Sequence, residues 1–140
     1  MATFTKFNKF IENLGRKAFN LNTDTLKIAL TNTAPTAATD GVLADITQIS
    51  AGNGYTSGGA AVGSNAYSQT GGTGKLTGND VVFTASGGTI GAFRYAILYD
   101  DTATNDELIG YWDYGSGVTL QDGETFTVDV NPSNGYLQLS

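Results

Sequence analysis

Phe4, Phe7, Ile11, Leu14, Ala18 and Leu21 recur three and four residues apart, the spacing of an apolar stripe along one helix face. Phe10 widens the stripe, while Lys6, Lys9, Glu12 and Asn13 fall mostly off it. Thr3 or Thr5 suits an N-cap, and Gly15, just past Leu14, suits a C-terminal stop. The pattern predicts a helix over 3–14, with an extension to 18 as the alternative.

From residue 25 the period drops to two. "TLKIALTN" alternates Leu26, Ile28 and Leu30 with Lys27, Ala29 and Thr31, which predicts a half-buried strand. "TAPTAATDG" reads as a loop around Pro35, and "GVLADITQIS" suits either a short helical turn or a strand. The glycine-rich stretch that follows predicts one edge strand around 60–64. Strands are predicted at 80–85, 92–99, 107–114, 125–130 and 136–140, each β-branched or aromatic and bounded by turn residues. Phe93, Tyr95, Ile97 and Tyr99 are placed on one face of their strand, and Phe126, Val128 and Val130 on one face of theirs. About seven short strands without alternating helices predict an all-β fold: an antiparallel β-sandwich or barrel-like fold with a short N-terminal α-helix. No repeat or linker divides the chain, so 1–140 is read as one domain, with 1–20 a helix or arm and 21–140 the sandwich.

Composition narrows the chemistry. The 140 residues contain no Cys and no His, which excludes disulfides, thiolate chemistry, the usual zinc sites and Ser-His-Asp or Cys-His catalysis. Charge is divided unevenly: residues 1–20 carry Lys6, Lys9, Arg16 and Lys17 against Glu12 (4 − 1 = +3), and the remainder carries three cations against twelve carboxylates (3 − 12 = −9). So acidic a body repels phosphate backbones, and no nucleic-acid partner is expected. No stretch approaches the ~20 apolar residues of a membrane span, and the first residues lack the apolar run of a secretory signal. The expectation is a soluble chain made in a cytoplasm.

Few motifs carry chemistry, and no cofactor is expected. "GGTGKLTG" (71–78) lacks two residues of the phosphate-loop pattern, having Gln69 and Leu76 where Gly and Ser or Thr are needed, and reads as a turn. "GNGYTSGG" (52–59) lacks dinucleotide spacing and reads as a loop around Tyr55. "DDTATNDE" gathers Asp100, Asp101, Asp106 and Glu107, as a calcium site or as a solvated hairpin tip. Asp113 beside Trp112 is the carboxylate to consider for glycoside hydrolysis. Tyr111, Trp112 and Tyr114 form either an exposed aromatic platform for a sugar or an interface, or a core pair, Trp112 and Tyr114, with Tyr111 outside. The opening segment has three readings. It lies on a membrane, it covers the sandwich, or it docks on a partner through Phe4, Phe7, Phe10, Ile11 and Leu14 with Lys6, Lys9, Arg16 and Lys17 steering.

The order of segments brings in a resemblance. An N-terminal helix, then "LKIALTNTAP", "VLADITQISAGNGYTSGG", "NDVVFTASGGTIGAFRYAILYDD", "LIGYWDYG" and "GETFTVDV…GYLQLS" together resemble small structural proteins of tailed-bacteriophage virions, of the capsid decoration (cement) or tail-associated type. The resemblance implies a non-enzymatic protein on the capsid surface. Its partner would be the major capsid protein, its state a homo-oligomer, often a trimer, and its anchor the N-terminal segment. The alternative it leaves is a tail- or fibre-associated protein that binds host glycan through Tyr111, Trp112 and Tyr114.

Overall fold

A computed structural model describes residues 3–131 and 133–140. The chain is all-β and antiparallel, 46% strand and 8% helix, with one short α-helix near the N-terminus. The elements are β1 (Thr3–Lys6), α1 (Asn8–Gly15), β2 (Leu26–Thr31), a 3-10 turn (Leu43–Asp45), β3 (Ala60–Ala61), β4 (Ala66–Thr70), β5 (Thr73–Thr77), β6 (Val81–Thr84), β7 (Ile90–Asp100), β8 (Leu108–Leu120), β9 (Thr125–Val128) and β10 (Leu137–Leu139). The main sheet has the order β1-β8-β7-β2-β3, and two smaller sheets have the orders β10-β5-β4 and β6-β9.

The first correction falls on the opening segment. Residues 3–6 are a strand, paired with β8 in the register Phe4↔Trp112 and Lys6↔Gly110. Thr3 and Thr5 are β-branched and alternate with Phe4, so period two is present beneath the helical spacing. Tertiary pairing selects it by placing the Phe4 ring 4.8 Å from Trp112. The N-cap is Phe7, not Thr3 or Thr5. The helix does end at Gly15, but the left-handed residue beyond it is Lys17, at φ 68°.

Both faces of the main sheet are covered, so its strands bury more than simple alternation predicts. In β2 Ala29 and Thr31 are as fully buried as Ile28 and Leu30. Tyr111 of β8 meets Phe7 and Tyr95 on one face, while Trp112 meets Phe4 and Tyr136 on the other. The single face expected for Phe93, Tyr95, Ile97 and Tyr99 is broken by register shifts on either side of Phe93. Phe93 turns to Phe126 of β9 at 4.9 Å, whereas Tyr95 turns to Tyr111. A bulge of this kind reverses which face a side chain joins.

The 51–59 loop is built around Tyr55, as its sequence suggested. The buried phenol donates to Gln48 Oε1 at 2.7 Å and accepts from Leu30 N–H at 3.0 Å. Gly59 is required there. Its φ is +79°, and a Cβ would sit 1.8 Å from the Ile28 carbonyl oxygen. Residues 66–77, where no strand was expected and 71–78 was read as a turn, form the β4–β5 hairpin on the two-residue turn Gly71-Gly72, both at positive φ.

Candidate functional site

The N-terminal segment divides into a buried half and an exposed half. Phe7 and Phe10 are fully buried, Phe10 against Phe19 at 5.3 Å, and Phe4 and Leu14 are partly buried against the same core. These four side chains face the protein's own interior and are not a docking stripe. The 1–20 segment therefore belongs to the body: it supplies an edge strand and core residues. What stays outside is Lys6, Lys9, Ile11, Arg16 and Lys17. Ile11 is 62% exposed, and with Val82 it is one of two large apolar side chains so placed among the described residues. Arg16 is held by Glu12 at 3.0 Å, one helical turn away. The result is one exposed apolar residue and four exposed cations within a short segment of a chain otherwise strongly negative.

The aromatic cluster is not a platform. Trp112 is 8% exposed and enclosed by Phe4 and Tyr136. Tyr114 packs edge-on against Phe126 at 4.8 Å, and burial, with Asp129 nearby, pushes its phenol above the usual value. Tyr111 is not left outside either; it is half-buried between Phe7 and Tyr95. Each of the three rings packs against at least one other aromatic ring.

Asp113 is engaged as well. Arg94 donates to it from Nε at 2.8 Å and from Nη2 at 3.1 Å, and Gly115 N–H adds a third bond at 2.8 Å. Arg94 holds this carboxyl below the usual carboxylate range, opposite to what a general acid needs. Lys75 of the glycine-rich turn donates to the Ser133 carbonyl at 2.8 Å, tying the β4–β5 hairpin to the turn before β10.

The acidic loop between β7 and β8 is not a solvated tip. Asp100 and Glu107 are buried. Asp100 Oδ1 accepts from Thr102 and Ala103 N–H, and Glu107 Oε1 from Asn105 N–H at 2.7 Å. Asp101 pairs with Lys27 at 3.3 Å. These carboxylates shape the loop, and among the described residues no group of three or more acidic side chains is arranged to hold a metal ion. The loop also walls a cavity of about 1100 Å³, whose other walls include Lys9, Lys17, Phe19, Asp24 and Asp45. Asp24 and Asp45, unremarked in the sequence, come to this cavity through tight turns. The Asp45 carboxylate accepts from Gly41 and Val42 N–H, and those bonds lower its pKa.

Among the described residues no helix is long and apolar enough to cross a membrane. Compared with family models, with curated proteins and with solved structures, the chain matches none.

Proposed function

We propose that this chain is a structural protein of a tailed-bacteriophage virion, most simply a capsid decoration protein bound to the outer surface of the major capsid protein lattice. The observation that carries the reading is the set of exposed cations gathered in one short segment, Lys6 on β1, Lys9 on α1 and Lys17 just after it, together with the exposed Ile11, on a chain otherwise acidic. Charge of one sign concentrated in one segment orients a protein on a lattice of opposite sign, and an apolar residue of the same segment, desolvated on contact, slows release. The segment order that resembles phage virion proteins supports the same reading. In this role the protein is non-enzymatic, acts as a homo-oligomer with a trimer favoured, and resides on the virion. The glycan-binding alternative has less support, since Trp112 is buried and Tyr114 packs edge-on against Phe126.

The test uses the full chain, because removing residues 1–20 would strip β1 and three core phenylalanines, Phe7, Phe10 and Phe19. A variant with Lys6, Lys9 and Lys17 changed to Glu and Ile11 to Asp alters only exposed side chains and should remain folded. In co-sedimentation with capsids lacking their decoration protein, the native chain should bind and the variant should lose at least tenfold in affinity. Equal binding by a folded variant would dismiss this face as the anchor.

A further inference from the structure

Asp24 and Asp100 turn toward each other oxygens that can only accept. Asp100, at the end of β7, is fully buried. Its Oδ1 takes the N–H groups of Thr102 at 2.9 Å and Ala103 at 3.1 Å. Its Oδ2 is buried, finds no donor among the described residues, and faces the Asp24 carboxyl. Asp24 Oδ2 is already occupied by Asn20 N–H at 2.9 Å.

Among the described residues no cation forms an ion pair with either carboxylate. Lys27, which β2 brings to this end of the sheet, is bound to Asp101. Asp101, Asp106 and Glu107 add negative charge from the same loop, and the Tyr99 hydroxyl of β7 gives its proton to the Gly58 carbonyl at 2.5 Å. Lys9 and Lys17 stand on the helix side of the cavity that Asp24 lines, where Asp45 shares the field of Lys9. Two ionised carboxylates in such a place repel each other, and a proton between them turns the repulsion into a hydrogen bond.

We infer that Asp24 and Asp100 hold one proton between them, and that this proton latches the turn at 20–25 to the loop at 100–107. Two backbone contacts flank the latch: Thr25 N–H donates to Thr102 Oγ1 at 2.8 Å, and Asp101 N–H to the Thr25 carbonyl at 2.9 Å. Burial, then the hydrogen bond and charge of Asp24, push the Asp100 carboxyl up to about 8. The folded state thus keeps a proton that the unfolded chain releases near pH 3.8. Stability from the latch is complete at acid pH, declines as pH rises above that value, and is gone once the folded pair ionises. Above that point the latch is open and the wall of the cavity formed by Asp24, Thr102 and Ala103 is released.

Melting of the full chain from pH 6 to 9.5, in EDTA and again with millimolar calcium, tests this against Asp100→Asn and Asp24→Asn. Either amide places an N–H where the shared proton sat, so each variant should melt at a temperature independent of pH over this range. The native chain should fall by several degrees as pH rises, and exchange of the Thr102 and Ala103 amides should accelerate beyond the base-catalysed trend. Native and variant curves that run parallel would overturn the latch. Recovery of the native melting temperature at pH 9 by calcium would also overturn it, in favour of a bound cation. Should both variants fail to fold, carboxyl carbon resonances of the native chain decide: one titrating near 8 supports the latch, and all titrating below 5 refute it.

Discussion

Phe10→Ala separates a helix packed on its own domain from one waiting for a partner. Phe10 is fully buried, and its ring lies 5.3 Å from that of Phe19. Truncating a buried Phe to Ala costs about 3–5 kcal/mol. The better helix propensity of Ala returns about 0.5 kcal/mol of that. An unfolding entropy of about 2.1 cal/mol/K per residue means each kcal/mol lowers the melting temperature of a chain this size by roughly 3–4 °C. The expected drop is therefore about 9–16 °C. Ile11→Ala, one residue along the same helix and exposed, should stay within about 0.5 kcal/mol of the native chain. Urea unfolding followed by Trp112 fluorescence and by far-ultraviolet dichroism measures both, and coincident transitions would justify two-state treatment. A Phe10→Ala loss below about 1 kcal/mol, or equal losses at the two positions, would show that α1 is not part of the folded core.

Two further outcomes test other parts of the molecule. Tyr55→Phe leaves the buried Leu30 N–H without an acceptor and should cost about 1–3 kcal/mol, with faster exchange of the Leu30 amide; an unchanged melting temperature would mean that water replaces the phenol. Asp113, held low chiefly by Arg94, contributes stability that is present above the ordinary carboxylate range and lost as pH falls through its folded value. Asp113→Asn should therefore flatten the acid limb of a stability–pH curve below pH 4, and the difference from the native chain should shrink in 1 M salt; identical acid limbs would show that the ion pair adds nothing.

Period-two segments with β-branched and aromatic residues were legible: β2, β6, β7, β9 and the anchored Tyr55 loop fall close to where alternation and turn residues place them, while β8 begins as expected but runs on past 114 to Leu120. Three features were not, each for a physical reason. Residues 3–6 satisfy both periods, and only the partner strand 108–120, far along the chain, decides between them. The β4–β5 hairpin has almost no apolar side chains apart from Tyr67 and the buried Leu76, so the hydrophobic pattern is nearly silent. Its one signal was Gly71-Gly72, a pair suited to a two-residue turn. The burial of Asp100 was hidden because "DDTATNDE" has the composition of a surface loop. Only the fold reveals that its first carboxylate points inward at Asp24. The aromatic cluster was ambiguous for a related reason: alternation assigns faces, but it does not say that both faces of a strand will be covered.

β1 is paired with a strand made about a hundred residues after it. Thr3 and Asp113 are partners about 110 residues apart in sequence, and β1 can find no place in the main sheet until β8 exists. Contacts of such separation pay their loop-closure entropy before they return any stability. During synthesis the Phe4 and Phe7 side chains must wait for Trp112 and Tyr111, their partners in β8, to emerge. Docking of the β1 segment is then the late event of folding, and a chain cut short before residue 108 would leave Phe4 and Phe7 without their ring partners. Lys6, Lys9 and Lys17, besides any role at a surface, keep that waiting segment charged and discourage it from pairing with its neighbours.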